Sequence, residues 1–290
     1  MRIKSCAFSG SWYPGTARAC EDAILGFIQD TGKGKEDIGS PCIGGIVPHA
    51  GWVFSGSIAC QVIQALVPDK GQGVDTVVVF GAHMHPSDSG FVLASGGVDT
   101  PLGPIETDGN LAAALASCTG LASLSPADFP DENTLELQYP FIRYFFPTAR
   151  IVAAGIPPAA DLAGQAGQAV VEAAQRLGRT IRVVGSTDMT HYGASFGFFP
   201  AGRGRAAVDW VRNDNDAAGI EALTALDHEK IIRQGLSRRN MCCAGAAAAA
   251  AAACKKNGAV KGICLDYATS YDASASDSFV GYCGVVFSKG

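Results

Sequence analysis

Short, nearly continuous apolar runs punctuate the chain, and stretches with helical spacing separate them. Cys42–His49, Thr76–Phe80, Gly90–Ser95, Arg150–Ile156, Thr180–Ser186, Val260–Tyr267 and Phe279–Ser288 read as strands. Runs such as "TVVVFG" and "TIRVVGS" lack the in-and-out alternation of a half-exposed strand, so both of their faces must be covered. Thr16–Asp30, Ser55–Val67 and Ala159–Gly178 carry apolar residues at helical intervals, with Ser55 or Ser57 as an N-cap and Gly178 as a stop. Asp227–Gly258 holds two helices, broken near Gly235–Asn240. The alternation predicts an α/β sandwich with a central mixed, mostly parallel sheet flanked by helices. Gly197–Ala207, glycine-rich with Phe198 and Phe199 adjacent, reads as a surface loop near a site. No stretch has linker composition, so residues 1–290 are expected to form a single domain.

With 48% apolar and 17% charged residues, the chain has material for a large core. A formal charge of −5 and the absence of a basic run argue against nucleic acid as a partner. The opening residues lack the apolar segment of a signal peptide, and Ala244–Cys254 is too short to span a bilayer. The expectation is a cytoplasmic protein without membrane association. Ten cysteines are scattered without a CxxC pair, which points to reduced thiols that mostly pack as small apolar residues. The adjacent pair Cys242-Cys243 stands apart from that pattern.

Four of the five histidines lie just beyond apolar runs: His49 in "GIVPHAGW", His83 and His85 in "VVVFGAHMH", and His191 in "VVGSTDMTHYG". Ligands of open α/β sheets gather at the carboxyl ends of strands. If the strands ending at His49, His83 and His191 are parallel neighbours, these imidazoles converge on one site. A single histidine after a strand more often caps or hydrogen-bonds its own loop; three together favour shared chemistry. Imidazole ligates iron, copper or zinc and also moves protons near neutral pH. A further ligand would be a carboxylate, from Asp188 or Glu136, or a thiolate, from Cys242 or Cys243. The cysteines precede the alanine-rich helix, whose N-terminus favours a thiolate.

Taken with "SGSWYPG" at Ser9–Gly15, "PHAGWVFSG" at Pro48–Gly56, "DTPLGPIETD" at Asp99–Asp108, "DENTLELQYPF" at Asp131–Phe141, "STDMTHYG" at Ser186–Gly193, "MCCAGA" at Met241–Ala246 and "VGYCGVVF" at Val280–Phe287, the chain resembles the Memo family from end to end. Some bacterial and archaeal members of that family accompany AMMECR-type and radical-SAM proteins, which the resemblance implies as partners. It also implies a fold like that of class III extradiol dioxygenases and a non-haem site holding a divalent metal through two histidines and a cysteine. Iron is the first choice of metal, with copper or zinc as alternatives. Carried over residue by residue, the ligands are His49, His83 and Cys242, with His85 and Cys243 in reserve. Asp188 and His191 match an acid/base element. Asn133 stands where the family usually has histidine, and Cys243 where it usually has glycine.

The resemblance therefore implies a metal-dependent, dioxygenase-like redox protein acting on a small substrate, with His191 as general acid or base oriented by Asp188. Two alternatives use the same residues. In one, a cleft of Trp12, Tyr13, Trp52, Asn133, Glu136 and Tyr192 binds a peptide or partner protein. In the other, zinc activates water for hydrolysis.

Overall fold

A computed structural model describes residues 2–30, 41–69 and 73–290. In chain order the strands are β1 (Ile3–Lys4), β2 (Cys42–Val47), β3 (Thr76–Gly81), β4 (Phe91–Leu93), β5 (Gly97–Val98), β6 (Ile105–Glu106), β7 (Ala122–Leu124), β8 (Arg150–Gly155), β9 (Ile181–Ser186), β10 (His191–Tyr192), β11 (Ala259–Thr269) and β12 (Phe279–Lys289). The helices are α1 (Ala17–Asp30), α2 (Trp52–Ala65), α3 (Gly109–Thr119), α4 (Asn133–Glu136), α5 (Tyr139–Phe145), α6 (Ala160–Arg176), α7 (Arg205–Trp210), α8 (Asp216–Thr224), α9 (His228–Arg238), α10 (Ala244–Lys256) and α11 (Ser270–Ala273).

The large sheet runs β10-β12-β2-β9-β3-β8-β4-β7, with β11 also paired to β12. Its centre, β2-β9-β3-β8, is wholly parallel. Antiparallel pairings of β12 with β2 and of β4 with β8 make the whole mixed. A small second sheet joins β1, β5 and β6. Successive side chains of a strand point to opposite faces, and the core divides accordingly. Ile46, Val78, Phe80, Val152 and Val183 face the layer containing α3, α6, α9 and α10. Val47, Val77, Val79, Ile151 and Val184 face α1, α2 and α5. Coverage of both faces explains why the central runs carry no polar alternation.

α10 is buried throughout Ala244–Cys254. Alanine lets this helix approach its neighbours closely, and those neighbours are glycines. A Cβ on Gly167 of α6 would lie 2.4 Å from Ala249 O, and one on Gly185 of β9 would lie 2.8 Å from the Ala250 Cβ. At the helix start, a Cβ on Gly245 would lie 2.2 Å from Ile156 O, just beyond β8. The N-terminus of α10, with Cys242 and Cys243 before it, is thereby fixed against the carboxyl edge of the sheet.

Several boundaries differ from those the sequence predicts. α2 begins at Trp52, capped by Gly51 without a side-chain bond, so neither Ser55 nor Ser57 is the N-cap. The chain turns into the helix directly from the Pro48–Gly51 loop, and Ser55 Oγ donates back to Ala50 O at 3.0 Å. α9 runs through Gly235 as far as Arg238, with Arg239 as a left-handed cap at φ +53°. Gly235 is there for packing, because a Cβ would come within 2.4 Å of the Ala244 Cβ. β1, β5, β6, β7 and β10 are two or three residues long, too short to show periodicity. Among the described residues, no helix is long and apolar enough to cross a membrane.

Candidate metal centre

β2, β9 and β3 lie side by side in that order and point the same way, so the segments that follow them leave the sheet together. His49 follows β2 by two residues. Its N–H donates to Asp188 Oδ1 at 2.7 Å, and its carbonyl accepts from Asn133 Nδ2 at 3.2 Å. The ring is buried, with Nδ1 3.1 Å from Ser186 Oγ. That contact leaves Nε2 facing Cys242 Sγ, 3.3 Å away.

His83 follows β3 through Ala82, a non-glycine residue at φ +76°. The Ala82 N–H donates to Thr134 Oγ1 at 2.7 Å, which holds the chain in this disfavoured conformation. The turn brings the His83 ring edge-on to His49, with centroids 5.0 Å apart. Glu132 Oε2 lies 3.6 Å from His83 Nδ1. This carboxylate was not among the residues the sequence singles out; its only signal is its place beside Asn133 in "DENTLE".

The third contribution comes from the approach to α10. The Cys242 N–H donates to Asp188 O at 3.2 Å, and Cys242 Sγ accepts from Asp188 N–H at 3.3 Å. The Cys243 N–H donates to Thr187 Oγ1 at 3.0 Å. The loop after β9 thus clasps both cysteines by their backbones. The ligand atoms of His49, His83, Cys242 and Cys243 all lie within 4.8 Å of one another.

Asp188 Oδ2 sits 3.8 Å from Nε2 of both His49 and His191. His191 lies on β10, its ring packed edge-on to Phe196 at 4.9 Å. Its Nε2 is buried and, among the described residues, has no hydrogen-bond partner. A cavity of about 370 Å³ opens here, lined by His85, Pro158, His191, Phe196, Arg239 and Cys242 among others. His85 stands outside the four-residue cluster, with Nδ1 bonded to Ser87 Oγ at 2.8 Å.

The remaining residues singled out from the sequence are spread more widely. Glu136 accepts from the backbone of Ala7 and Phe8 and from Tyr13 Oη, so it anchors the N-terminal segment instead of facing the cluster. Trp52 is buried, stacked on Phe141 at 4.1 Å. Trp12, Tyr13 and Trp52 line a separate cavity of about 770 Å³ with Phe27, Phe54 and Tyr282. Tyr192 is fully buried, stacked on Phe279 and bonded through its hydroxyl to Gly202 O and Ala201 N–H; it lines neither cavity. The single aromatic cleft expected from the sequence is thus divided, because the Tyr192 ring turns into the packing beneath β10.

The sequence profile of the family described as "Memo-like protein" matches residues 4–286. The chain belongs to the Memo family. It is 32% identical over 305 residues to a MEMO1 family protein of Thermococcus onnurineus, covering 99% of this chain and all of the relative. A MEMO1 family protein of Pyrococcus furiosus is 30% identical over 302 residues, covering 99% of both chains. One of Methanopyrus kandleri is 32% identical over 298 residues, again with 99% coverage of both.

In this Memo family member the charges at the cluster reinforce one another. Burial pushes the Cys242 thiol up, but the neighbouring Cys243 thiol and the imidazoles of His49 and His191 outweigh it and hold Cys242 well below the ordinary thiol value. Burial likewise opposes charge on His49, yet Asp188 and Cys242 raise it. Hydrogen bonding to Cys242 and then Glu132 lifts His83 to about 10. His191 reaches about 9, burial being outweighed by Asp188 and Cys242. Without a metal, these neighbours favour the thiolate form of Cys242 and the protonated form of the imidazoles. A cation that takes the thiolate must displace the imidazole protons, so its binding strengthens as pH rises.

Proposed function

We propose that this chain is a metal-dependent redox protein whose non-haem centre is held by His49, His83 and Cys242. The observation that carries the reading is the convergence of two imidazoles and a thiol from two strand ends and a helix start, with ligand atoms within 4.8 Å. Two imidazoles and a thiolate suit iron, copper or zinc, and we place iron first. A bound ion would supply Lewis acidity and redox chemistry to a small substrate in the cavity beside His191.

The chain's own groups do the rest. Ser186 and Glu132 engage Nδ1 of His49 and His83, which leaves each Nε2 free to ligate. Asp188 faces Nε2 of His191 and orients the ring, and the imidazole gives or takes a proton beside the cavity. Phe196 and Pro158 give that cavity an apolar wall beside His191. Ten cysteines without a disulfide among them fit a reducing, cytoplasmic setting.

Metal analysis of protein purified anaerobically without added metal tests the reading. Iron near one per chain, lost in a His49→Ala, Cys242→Ser double variant, supports it. Zinc as the sole ion that binds points to hydrolysis instead, and no binding of any ion removes the metal reading. A second reading, peptide recognition, is favoured by the aromatic cavity of Trp12, Tyr13 and Trp52. Peptide binding that survives the double substitution would favour that reading.

A further inference from the structure

The cluster contains one donor more than the three just assigned. Cys243 Sγ lies 3.7 Å from Cys242 Sγ and within 4.8 Å of the His49 and His83 nitrogens. A tetrahedral ion with metal–sulfur bonds of about 2.3 Å and metal–nitrogen bonds of about 2.0–2.1 Å has sulfur–sulfur edges of about 3.8 Å and sulfur–nitrogen edges of about 3.5 Å. The observed sulfur–sulfur separation matches the first, and the 3.3 Å from Cys242 Sγ to His49 Nε2 approaches the second. Two of the six edges thus stand near their tetrahedral lengths, and the others, at up to 4.8 Å, shorten when an ion draws the four donors in.

The backbone supports the same geometry. Two adjacent cysteines can face one point only if the chain between them is bent, and Cys243 is the N-cap of α10 with φ −124° and ψ 54°, outside the helical region. Its N–H is tied to Thr187 Oγ1 while the Cys242 N–H is tied to Asp188 O, so the bend is clamped on both sides by the loop after β9. The competing description of Cys243 is a small apolar residue in the core, where it is buried beside Met241 and Ala244. That description accounts for its burial; the direction of its sulfur, toward Cys242 Sγ, is that of a thiol–thiolate contact in the metal-free chain and of a second sulfur donor once an ion is bound.

We infer that Cys243 is a fourth protein donor, making the centre a two-histidine, two-cysteine tetrahedral set. The inference rests on the proposal that the cluster holds a metal, and it narrows that proposal: a closed set of two nitrogens and two sulfurs suits zinc as well as iron, and redox turnover at the ion then requires Cys243 to leave it. With four protein donors in place, an exogenous ligand reaches the ion only by raising the coordination number or displacing a sulfur. A chelating substrate and dioxygen therefore do not occupy the ion together while Cys243 is on it. Replacing Cys243 by a residue without a donor opens one position.

Cobalt(II) is a suitable probe, added anaerobically to the full chain after reduction of its thiols. The unmodified protein should bind one cobalt per chain and show sulfur-to-cobalt charge-transfer absorption, with two sulfurs in the X-ray absorption spectrum. Cys243→Ala should still bind one cobalt but lose about half of that absorption, since one of two thiolates is gone. Azide should shift the visible bands of Cys243→Ala and leave those of the unmodified protein in place. Equal charge-transfer absorption in the two proteins, or a single sulfur in the unmodified one, overturns the inference and leaves the three-ligand proposal standing. Failure of the unmodified, folded protein to bind cobalt, zinc or iron overturns both. The sulfur count of the unmodified protein decides the matter even if Cys243→Ala does not fold.

Discussion

Cys242 Sγ lies 3.3 Å from Nε2 of His49, although 193 positions separate the two residues in the chain. The contact joins the start of the alanine helix to the carboxyl end of the sheet, and it places a sulfur where positive charge gathers. The Cys242 thiol is held well below its ordinary value because Cys243, His49 and His191 together outweigh its burial. The reactive form of a cysteine is the thiolate.

In metal-free protein, alkylation of Cys242 by iodoacetamide should therefore persist at acidic pH. An ordinary thiol titrating at about 8.5 loses roughly 100-fold in rate between pH 8 and pH 6. Cys242 should lose only a few-fold, and His49→Ala should restore part of the steep dependence. Peptide mapping by mass spectrometry reads the site. A Cys242 rate that falls as steeply as that of a free small-molecule thiol would refute the thiolate.

Glu132 reaches His83 from a segment 49 residues away, and its effect is on ring orientation. Second partners of ligating histidines are worth about 10–100-fold in metal affinity. Glu132→Gln should weaken binding by about that factor while the bound ion keeps the same ligands, as read by competitive chelator titration. An unchanged affinity would mean that His83 is oriented by the backbone alone.

The Ala82 backbone carries a different cost. A non-glycine residue in the left-handed region stores on the order of 1 kcal/mol, which glycine does not. Ala82→Gly relieves that strain but frees the turn that presents His83. Thermal denaturation of the metal-free variant should show stability unchanged or raised by up to about 1 kcal/mol, because the looser unfolded chain offsets part of the gain. Metal affinity should fall. A variant that melts well below the parent would show that the Ala82 methyl itself packs.

How much of this the sequence discloses depends on the range of the interaction. The continuous apolar runs announce the central strands, because full coverage of both faces leaves no other pattern. "PHAG" and "THYG" place His49 and His191 just past strand ends, since the strand signal stops there. That β9 lies between β2 and β3 is a matter of pairing, and no local signal carries it. Glu132 escapes notice for a similar reason: it meets His83 only because Ala82 turns left-handed after β3. Tyr192 looks like a cleft aromatic beside a histidine, but alternation along β10 points its ring inward while His191 faces out. Glu136 is a carboxylate available for a ligand role, yet the N-terminal segment, remote in sequence, supplies three donors that hold it elsewhere.

Asp216 supplies a test of pH dependence away from the ligands. It is fully buried at the start of α8 and accepts from Thr190 N–H, Thr190 Oγ1 and Tyr267 Oη. Burial raises its carboxyl from 3.8 to about 6, against the pull of those donors. A carboxyl raised on folding binds its proton more tightly in the native state. Its contribution to stability is therefore complete below about pH 3.8 and is lost as pH rises through about 6. Between about pH 5 and pH 7.5 the native protein should lose about 1.4 kcal/mol from this group. Asp216→Asn has no proton to lose and still offers an oxygen to Thr190, so its stability relative to the parent should improve by that amount across the same interval. Urea denaturation of both proteins at the two pH values measures the difference. Parallel pH profiles would show that Asp216 titrates alike in the folded and unfolded chains.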